Sequence, residues 1–356
     1  MEKITGLFII IISAGIFLYL LPFFSPILGV DLASMNGTGD SASGQIIFLN
    51  SGDSQNEVAV WHSSLKPDIF EIQNSLSDTS VLYTATSQGL FISRDGGKNW
   101  YNWSDLERKI DGASIYKITF DKNVSGRTFI STFKNNRGYI YETRDNLFSL
   151  NQIFDASGEI VYDLELVHGS RPGSQDLLIG LSDGRILSYS PETKEFRPFA
   201  DFGSSVYDIK SANSHLYVAT KSNGVFARTG GSGAFSPLAG GIVSGESFKS
   251  IAVEEKTGVP LYAASLNSAF ASFNQGLNWS GVKTILGSGE KIDSVVLAPS
   301  NELYLISGQK LYRSRDSGKN WQIVFNLADS AAGGSKRKIS NIYFSQNGKI
   351  IIGTKS

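Results

Sequence analysis

Three aspartates, Asp163, Asp208 and Asp293, are predicted to occupy equivalent positions of a repeated strand, and carboxylates that converge there could act in catalysis. Asp163 and Asp208 each follow a Val-Tyr pair, and Asp293 follows an isoleucine. Hydrolysis of a glycosidic bond needs two carboxylates that face one bond at a defined separation. No flanking motif singles out a pair among the three aspartates, so we predict no catalytic residue and keep carbohydrate hydrolysis as the alternative.

The residues that other common catalytic chemistries require are absent from this chain of 356 amino acids. There is no cysteine, which excludes disulfides, thiolate zinc sites and a cysteine nucleophile, and the three histidines are widely spaced. Neither a phosphate-cradling glycine loop nor a Gly-x-Ser-x-Gly elbow is present. With 32 Lys and Arg against 33 Asp and Glu, the charge gives no footprint for nucleic acid. We therefore predict no metal, no cofactor and no nucleic-acid partner.

A pair of adjacent positions recurs along the chain and is a candidate for binding. The first position is aromatic in four consecutive units, at Phe70, Tyr116, Tyr162 and Tyr207, and the second is polar throughout. Aromatic groups beside charges suit recognition surfaces. The predicted binding residues are Tyr116, Lys117, Tyr162, Asp163, Tyr207, Asp208, Lys249 and Asp293. Strand alternation offers another interpretation, in which one of the two positions only fills volume between sheets.

Each pair precedes a short apolar strand that usually has a small residue at its centre, and this unit repeats. The equivalent central residues are Ala85, Ser131, Gly180, Ala219, Ala264, Ile306 and Gly353, at intervals of 46, 49, 39, 45, 42 and 47 residues. That period, with several strands per unit, is the size of a propeller blade. We predict an all-β, seven-bladed propeller of four-stranded antiparallel blades, in which small residues allow neighbouring sheets to pack face to face.

The last unit shows only two strands before Ser356. Two segments near the start, residues 45–49 and 58–62, are left over as strands. Pairing them with the final strands would complete the seventh blade and conceal the open sheet edges. We therefore predict that residues 45–356 form one closed ring.

An octet follows the second strand of several units. It reads SRDGGKNW at 93–100, SFNQGLNW at 272–279 and SRDSGKNW at 314–321. The acid or amide can accept backbone N–H bonds across a tight turn, the glycine supplies positive φ, and the tryptophan adds an apolar face. The predicted structural residues are Ser93, Asp95, Gly97, Trp100, Ser272, Asn274, Gly276, Trp279, Ser314, Asp316, Gly318 and Trp321.

The octet resembles the Asp-box, or bacterial neuraminidase repeat, of pattern Ser-x-Asp-x-Gly-x-x-Trp. Propellers with this repeat include sialidases, the sortilin ectodomain, xyloglucan-degrading glycosidases and photosystem II stability/assembly-factor-like proteins, and in all of them the box is a structural hairpin. A sialidase would also require an arginine triad, a tyrosine–glutamate pair and a Phe/Tyr-Arg-Ile-Pro segment. The nearest segment, Phe196-Arg197-Pro198-Phe199, lacks the isoleucine. The resemblance therefore implies the fold and favours an assembly-factor-like role.

The first 30 residues form a predicted transmembrane anchor. The stretch from Gly6 to Val30 has no charge, and about 20 apolar residues span a bilayer core. Lys3 precedes this stretch and the next basic residue is Lys66, so the positive-inside rule keeps the amino terminus in the cytoplasm. Residues 31–44 are polar and rich in glycine and serine, as in a flexible tether. A cleaved signal peptide ending near Ala33 is the alternative.

Together these features predict a single-pass protein of the cytoplasmic membrane with a propeller on the extracytoplasmic side. We expect a non-catalytic scaffold or assembly-factor-like module whose partner is another protein or membrane complex. A surface glycan-active hydrolase of sialidase or glycosidase type, with carbohydrate as ligand, is the alternative. A purely structural envelope protein would have the same sequence features.

Overall fold

The computed structural model describes residues 44–49, 57–65, 67–169, 174–229, 233–238, 246–330, 336–346 and 348–356. Within these residues the chain consists almost entirely of strands, with one 3-10 turn at Leu327–Asp329. The strands are β1 (Ile46–Leu49), β2 (Glu57–Val58), β3 (Val60–His62), β4 (Ile69–Asn74), β5 (Leu82–Thr86), β6 (Gly89–Ser93), β7 (Asn99–Trp103), β8 (Ser114–Phe120), β9 (Thr128–Lys134), β10 (Arg137–Thr143), β11 (Asn151–Asp155), β12 (Val161–His168), β13 (Gln175–Leu181), β14 (Arg185–Ser190), β15 (Glu195–Asp201), β16 (Val206–Ala212), β17 (His215–Thr220), β18 (Val225–Thr229), β19 (Ser236–Pro237), β20 (Phe248–Val253), β21 (Leu261–Ser265), β22 (Ala269–Ser272), β23 (Ser280–Val282), β24 (Ser294–Leu297), β25 (Leu303–Ser307), β26 (Lys310–Ser314), β27 (Gln322–Asn326), β28 (Lys338–Phe344) and β29 (Ile350–Lys355).

These strands form seven sheets, six of them four-stranded and antiparallel and one with an additional parallel strand, which confirms the predicted seven-bladed propeller. Blade 1 begins with β4, and blades 2 to 7 begin with β8, β12, β16, β20, β24 and β28. Each first strand pairs with the next strand along the chain, and the sheet continues outward from there. The first strands lie side by side around a central channel. Residues on these strands therefore determine which side chains line the channel.

The hydrophobic core is divided among the seven contacts between neighbouring blades. One buried apolar cluster lies between each pair of blades around the ring. Small residues in the second strands permit this close packing, as predicted. A Cβ atom added at Gly180 would lie 2.8 Å from Cγ1 of Val206, and one added at Gly353 would lie 2.6 Å from Cγ2 of Ile69. Both partners belong to the first strand of the next blade, so these glycines set the spacing between blades.

The ring closes by pairing strands from the two ends of the described chain. Strand β1 pairs with β29, with Ile47 opposite Ile352, and β2 continues the sheet outward. The predicted strand 58–62 is wrong in one respect, because it divides at Ala59. Its second part, β3, leaves blade 7 and pairs in parallel with β7 as a fifth strand of blade 1, with Trp61 opposite Trp100. Trp61 packs on Trp100 with ring centroids 6.0 Å apart, and this apolar contact adds to the backbone pairing of β3 with blade 1.

The predicted anchor, residues 1–30, and all of the tether 31–44 except Gly44 lie outside the described residues. Over the ranges that are described, no helix is both long enough and apolar enough to cross a membrane.

Candidate functional site

The paired positions singled out in the sequence lie at a β-bulge near the start of the first strand. In six of the seven blades the pairing register shifts there, for example between Ile69 and Glu71 and between Ile115 and Lys117. A bulge places two residues opposite one and re-aims their side chains. Strict alternation, which would send one of the two positions into the blade interface, therefore does not hold. Both positions are left at the channel side, and the apolar residues that flank them are buried.

The four aromatic residues form a continuous arc at the end of the channel where the first strands begin. Phe70 stacks on Tyr116 with centroids 5.5 Å apart, and Tyr116 meets Tyr162 edge to face at 5.7 Å. Tyr162 in turn meets Tyr207 edge to face at 5.2 Å. All four rings are half-buried, and burial raises the pKa of each tyrosine hydroxyl. We name Phe70, Tyr116, Tyr162 and Tyr207 the aromatic arc.

Polar side chains at four of the second positions link a first strand to the backbone of the next. The carboxylate of Asp163 accepts the backbone N–H of Ile209 at 2.7 Å, and that of Asp208 accepts the N–H of Ile251 at 2.7 Å. The carboxylate of Glu71 and the hydroxyl of Ser250 make the same bond to the next blade, to Ile118 at 3.0 Å and Val295 at 2.9 Å. These N–H groups lie on the channel-facing edge of a first strand, where an unpaired donor would be costly. Asp163 and Asp208 are therefore structural bridges between blades.

Two lysines form ion pairs with three of the channel carboxylates. Nζ of Lys117 lies 2.9 Å from Glu71 and 3.3 Å from Asp163, and Nζ of Lys210 lies 2.6 Å from Asp208. Burial alone would lower the pKa of Lys117, but Asp163 and Glu71 outweigh it and hold that pKa well above its ordinary value. Burial would likewise raise the pKa of Asp163, yet Lys117 and Lys210 keep it lowered. Both lysines are thus fixed cations that keep the network together.

Two carboxyl groups in this network have a raised pKa, in contrast to the lowered pKa of Asp163. Burial raises the pKa of Asp208, and the nearby Asp163 adds to the rise. Burial also raises the pKa of Glu165, although Lys210 and Ser211 oppose it. Glu165 accepts hydrogen bonds from the backbone N–H of Ser211 at 2.9 Å and from its hydroxyl at 2.5 Å. Each of the two carboxyls is therefore partly desolvated while it keeps dedicated hydrogen-bond partners.

The remaining predicted binding residues do not join this network. Lys249 takes the bulge position in blade 5 and is exposed. Asp293 lies one residue before Ser294, the position that corresponds to Asp163 and Asp208, so the three aspartates are not equivalent. Its carboxylate accepts the backbone N–H of Gly308 at 2.8 Å, within its own blade. The alignment of Asp293 with the other two aspartates is therefore wrong.

The channel forms a cavity of about 560 Å³ that extends beyond the network along the first strands. Its lining includes residues from all seven first strands, and Glu165, Lys210 and Gln73 belong to it without having been predicted. Each of these three lies two residues after a second position, and side chains two apart share one side of a strand. Applying that spacing to the repeat would have found them. At the far mouth, Lys122 and Glu255 pair at 3.2 Å between blades 2 and 5, and both are 72% exposed.

The three octets form one repeated hydrogen-bonded turn on the face opposite the aromatic arc. The carboxylate of Asp95 accepts the backbone N–H of Asn99 at 3.0 Å, and that of Asp316 accepts the N–H of Asn320 at 2.8 Å. Asn274 makes the equivalent bond through its amide oxygen to Asn278 at 2.9 Å. In every octet the serine hydroxyl accepts the N–H of the glycine, and all three glycines have φ near +90°. Residues 143–149 of blade 2 make the same turn around Asp145.

The octet tryptophans stabilise the turn with a hydrogen bond from the indole ring. Each indole N–H donates to the carbonyl of the octet glycine, at 2.6 Å for Trp100 and 3.1 Å for Trp279 and Trp321. Trp100 and Trp279 are buried and Trp321 is half-buried. Hydrogen bonds from the backbone and side chain of Asn320 lower the pKa of Asp316 to about 2. The serine, the acid or amide and the tryptophan of each octet thus have partners within the turn, which points to a structural role.

Among the residues that the structure describes, no three His, Cys, Asp or Glu side chains are grouped so that they could hold a metal ion.

Comparison with known proteins relates this chain to others through its fold. No family model matches the sequence, and no curated protein matches it either. Among solved structures, YCF48 from Cyanidioschyzon merolae superposes with a TM-score of 0.64 at 13% identity, covering 87% of this chain and 97% of YCF48. A structure of YCF48 bound to a D1 peptide gives 0.58 at 15% identity, covering 88% and 97%.

A glycoside hydrolase is also similar in fold. The GH74 enzyme of Niastella koreensis superposes with a TM-score of 0.60 at 15% identity, over 73% of this chain and 47% of that enzyme. The chain thus corresponds to about half of the GH74 enzyme. Identities this low show a shared propeller and no more.

Proposed function

We propose that this chain is a membrane-anchored, extracytoplasmic propeller of the Asp-box type that binds a protein partner at the aromatic arc and catalyses no reaction. One observation carries the proposal. The channel carboxylates are committed to lysines and backbone N–H groups, whereas the arc offers four half-buried aromatic rings at the channel end. Amphipathic aromatic rings at a mouth are typical of recognition surfaces.

Two further features support this proposal. In the described octet turns the serine, the acid or amide and the tryptophan have partners within the turn, as expected of Asp-box hairpins with a structural role. A propeller of this fold has been solved as YCF48 with a D1 peptide bound, so a peptide is a ligand that the fold can accept. The partner we infer is a segment of a membrane protein exposed on the same side of the membrane.

Capture from detergent-solubilised membranes of the source cells tests the proposal. We expect the full chain to retain a discrete membrane protein, and the Tyr162→Ala/Tyr207→Ala variant to lose at least ten-fold of that capture. Phe273→Ala is the matched control, because Phe273 is an exposed aromatic on the opposite face. Equal capture by all three proteins would refute binding at the arc. Equal melting temperatures would show that the double variant still folds.

A glycoside hydrolase is the second candidate, and Glu165 is the observation that favours it. A carboxyl whose pKa is raised by burial suits a general acid, and a GH74 enzyme shares the fold. Glu165→Gln would then abolish release of 4-methylumbelliferone from aryl glycosides, while Glu255→Gln at the far mouth would not. We expect no turnover with any of the three proteins, because the hydroxyl and N–H of Ser211 already occupy Glu165.

A further inference from the structure

The described chain begins on the same face of the ring as the aromatic arc. The backbone N–H of Gln45 donates to the Thr354 hydroxyl at 2.7 Å, and the Thr354 N–H donates back to the Gln45 carbonyl at 2.9 Å. Two residues later, the N–H of Ser356 donates to Asp68 at 2.7 Å. Asp68 immediately precedes β4 and lies two residues before Phe70. The tether therefore reaches the propeller beside the first member of the arc.

The reach of the tether limits how far this face can lie from an anchor. About 14 residues separate the apolar segment from Gln45. A chain of that length cannot span more than about 50 Å even when fully extended. That length is short enough to hold the anchored side of the ring near the bilayer.

A second feature of the arc face is a group of cations in blade 7. Lys336 and Lys338 are exposed, Arg337 lies between them, and Lys355 is paired directly opposite Lys338. Strand β28 begins at Lys338, and all first strands begin on the arc face. The Ile339 N–H, which donates to the Gly308 carbonyl at 2.8 Å, fixes the start of β28 against blade 6. We name Lys336, Arg337, Lys338 and Lys355 the basic group.

Two described carboxylates next to the basic group offset part of its charge, and one is that of Asp68, which accepts the backbone N–H of Ser356, the residue after Lys355. In the connection from β27 to β28 the described residues include one acid, Asp329, whose carboxylate accepts a hydrogen bond from the Asn326 amide at 2.9 Å. Clusters of lysine and arginine next to a membrane anchor are attracted to anionic headgroups within a Debye length of the surface. The basic group thus complements an anionic lipid surface on the same face that the tether reaches.

We propose that the arc face is turned toward the membrane, and that the basic group contacts anionic lipid headgroups there. The inference rests on the proposed membrane anchoring, and it deepens it by stating which face the membrane meets. The octet turns then point away from the bilayer. The aromatic arc lies next to the surface, within reach of short extracytoplasmic segments of integral membrane proteins.

Site-specific quenching in nanodiscs tests this orientation, and the natural absence of cysteine makes single labelling direct. The full chain is labelled with bimane at Gln88→Cys, an exposed turn on the arc face, or at Lys319→Cys, an exposed octet turn on the opposite face. Nanodiscs contain phosphatidylcholine, phosphatidylglycerol and a lipid with a nitroxide on its headgroup. We expect at least three-fold stronger quenching at position 88 than at position 319. Equal quenching, or stronger quenching at 319, would overturn the proposal.

Charge variants separate the lipid contact from the tether. Lys336→Gln/Lys338→Gln should reduce quenching at position 88 at least two-fold, as should omission of phosphatidylglycerol. Lys98→Gln/Lys256→Gln, which removes two exposed lysines from the opposite face, should leave the quenching at position 88 unchanged.

If the Lys336→Gln/Lys338→Gln variant and the omission of phosphatidylglycerol have no effect on quenching at position 88, the headgroup contact is refuted. A chain that does not enter nanodiscs at all would refute the anchoring itself, and a chain that enters but is not oriented would refute only this inference. Quenching at 88 that requires an added membrane protein would instead assign the face to a protein partner.

Discussion

Lys117 shows at the scale of single residues how the channel is held together. Its ammonium group lies between Glu71 and Asp163, and the three side chains are 19%, 14% and 5% exposed. Removing one partner of a buried ion pair leaves an uncompensated charge. We expect Lys117→Met to lower the free energy of unfolding by about 3 kcal/mol. Guanidinium unfolding of the detergent-solubilised chain, followed by tryptophan fluorescence, measures this loss.

Lys122→Met is the control for that substitution. Lys122 and its partner Glu255 are both 72% exposed, so solvent screens their attraction. The expected change is within about 0.5 kcal/mol. A loss at Lys117 no larger than the loss at Lys122 would mean that the channel lysines do not stabilise the ring.

The pH dependence of stability tests the role of Asp316 in its octet turn. Its pKa is about 2 in the folded chain, below the ordinary value of about 3.9 for the unfolded chain. The ionised carboxylate therefore stabilises the fold above about pH 4, and this contribution is lost as pH falls toward 2. Asp316→Asn keeps an oxygen acceptor, as Asn274 does naturally, but loses the charge. We expect its melting temperature to lie below that of the parent at pH 6 and the gap to shrink by pH 2.5. A gap that stays constant would contradict the assigned pKa shift.

At the scale of elements, the second strands determine how closely the blades pack. Gly180→Ala or Gly353→Ala would push a methyl group into the first strand of the next blade. Overpacking of this kind costs about 1–3 kcal/mol. Gly281→Ala in β23 is the control, because a Cβ there has no neighbouring atom within 4 Å. The free energy of unfolding, measured by chemical denaturation, should be clearly lower for Gly180→Ala and Gly353→Ala than for Gly281→Ala. Equal values for the three variants would disprove the packing role of Gly180 and Gly353.

The elements also show what could be predicted from sequence. The octet turn was accessible because Ser93, Asp95, Gly97 and Trp100 complete its hydrogen bonds within eight consecutive residues. The bulge was not predicted, because a register shift is a property of two paired strands. Without the bulge, alternation wrongly predicts that either Tyr162 or Asp163 points away from the channel.

At the scale of the whole molecule, the repeat period and the two leftover strands were enough to predict the ring and its closure. The contacts between blades required the structure. Asp163 bonds to Ile209 and Lys117 bonds to Asp163, and these partners are 46 residues apart in each case because they occupy adjacent blades. The same interval relates Glu165 to Ser211. Residues that bind across blades are thus recognisable from sequence only once the equivalent positions have been aligned.

Photo-crosslinking from the aromatic arc tests whether a protein partner binds there. Benzoylphenylalanine replaces Tyr207 in the arc or Phe273 on the opposite face, and the full chain is irradiated in source-cell membranes. We predict one discrete protein adduct from position 207, absent from position 273 and competed away by excess unmodified chain. Adducts that form from position 273 and not from 207 would contradict binding at the arc and place the partner on the face of the octet turns.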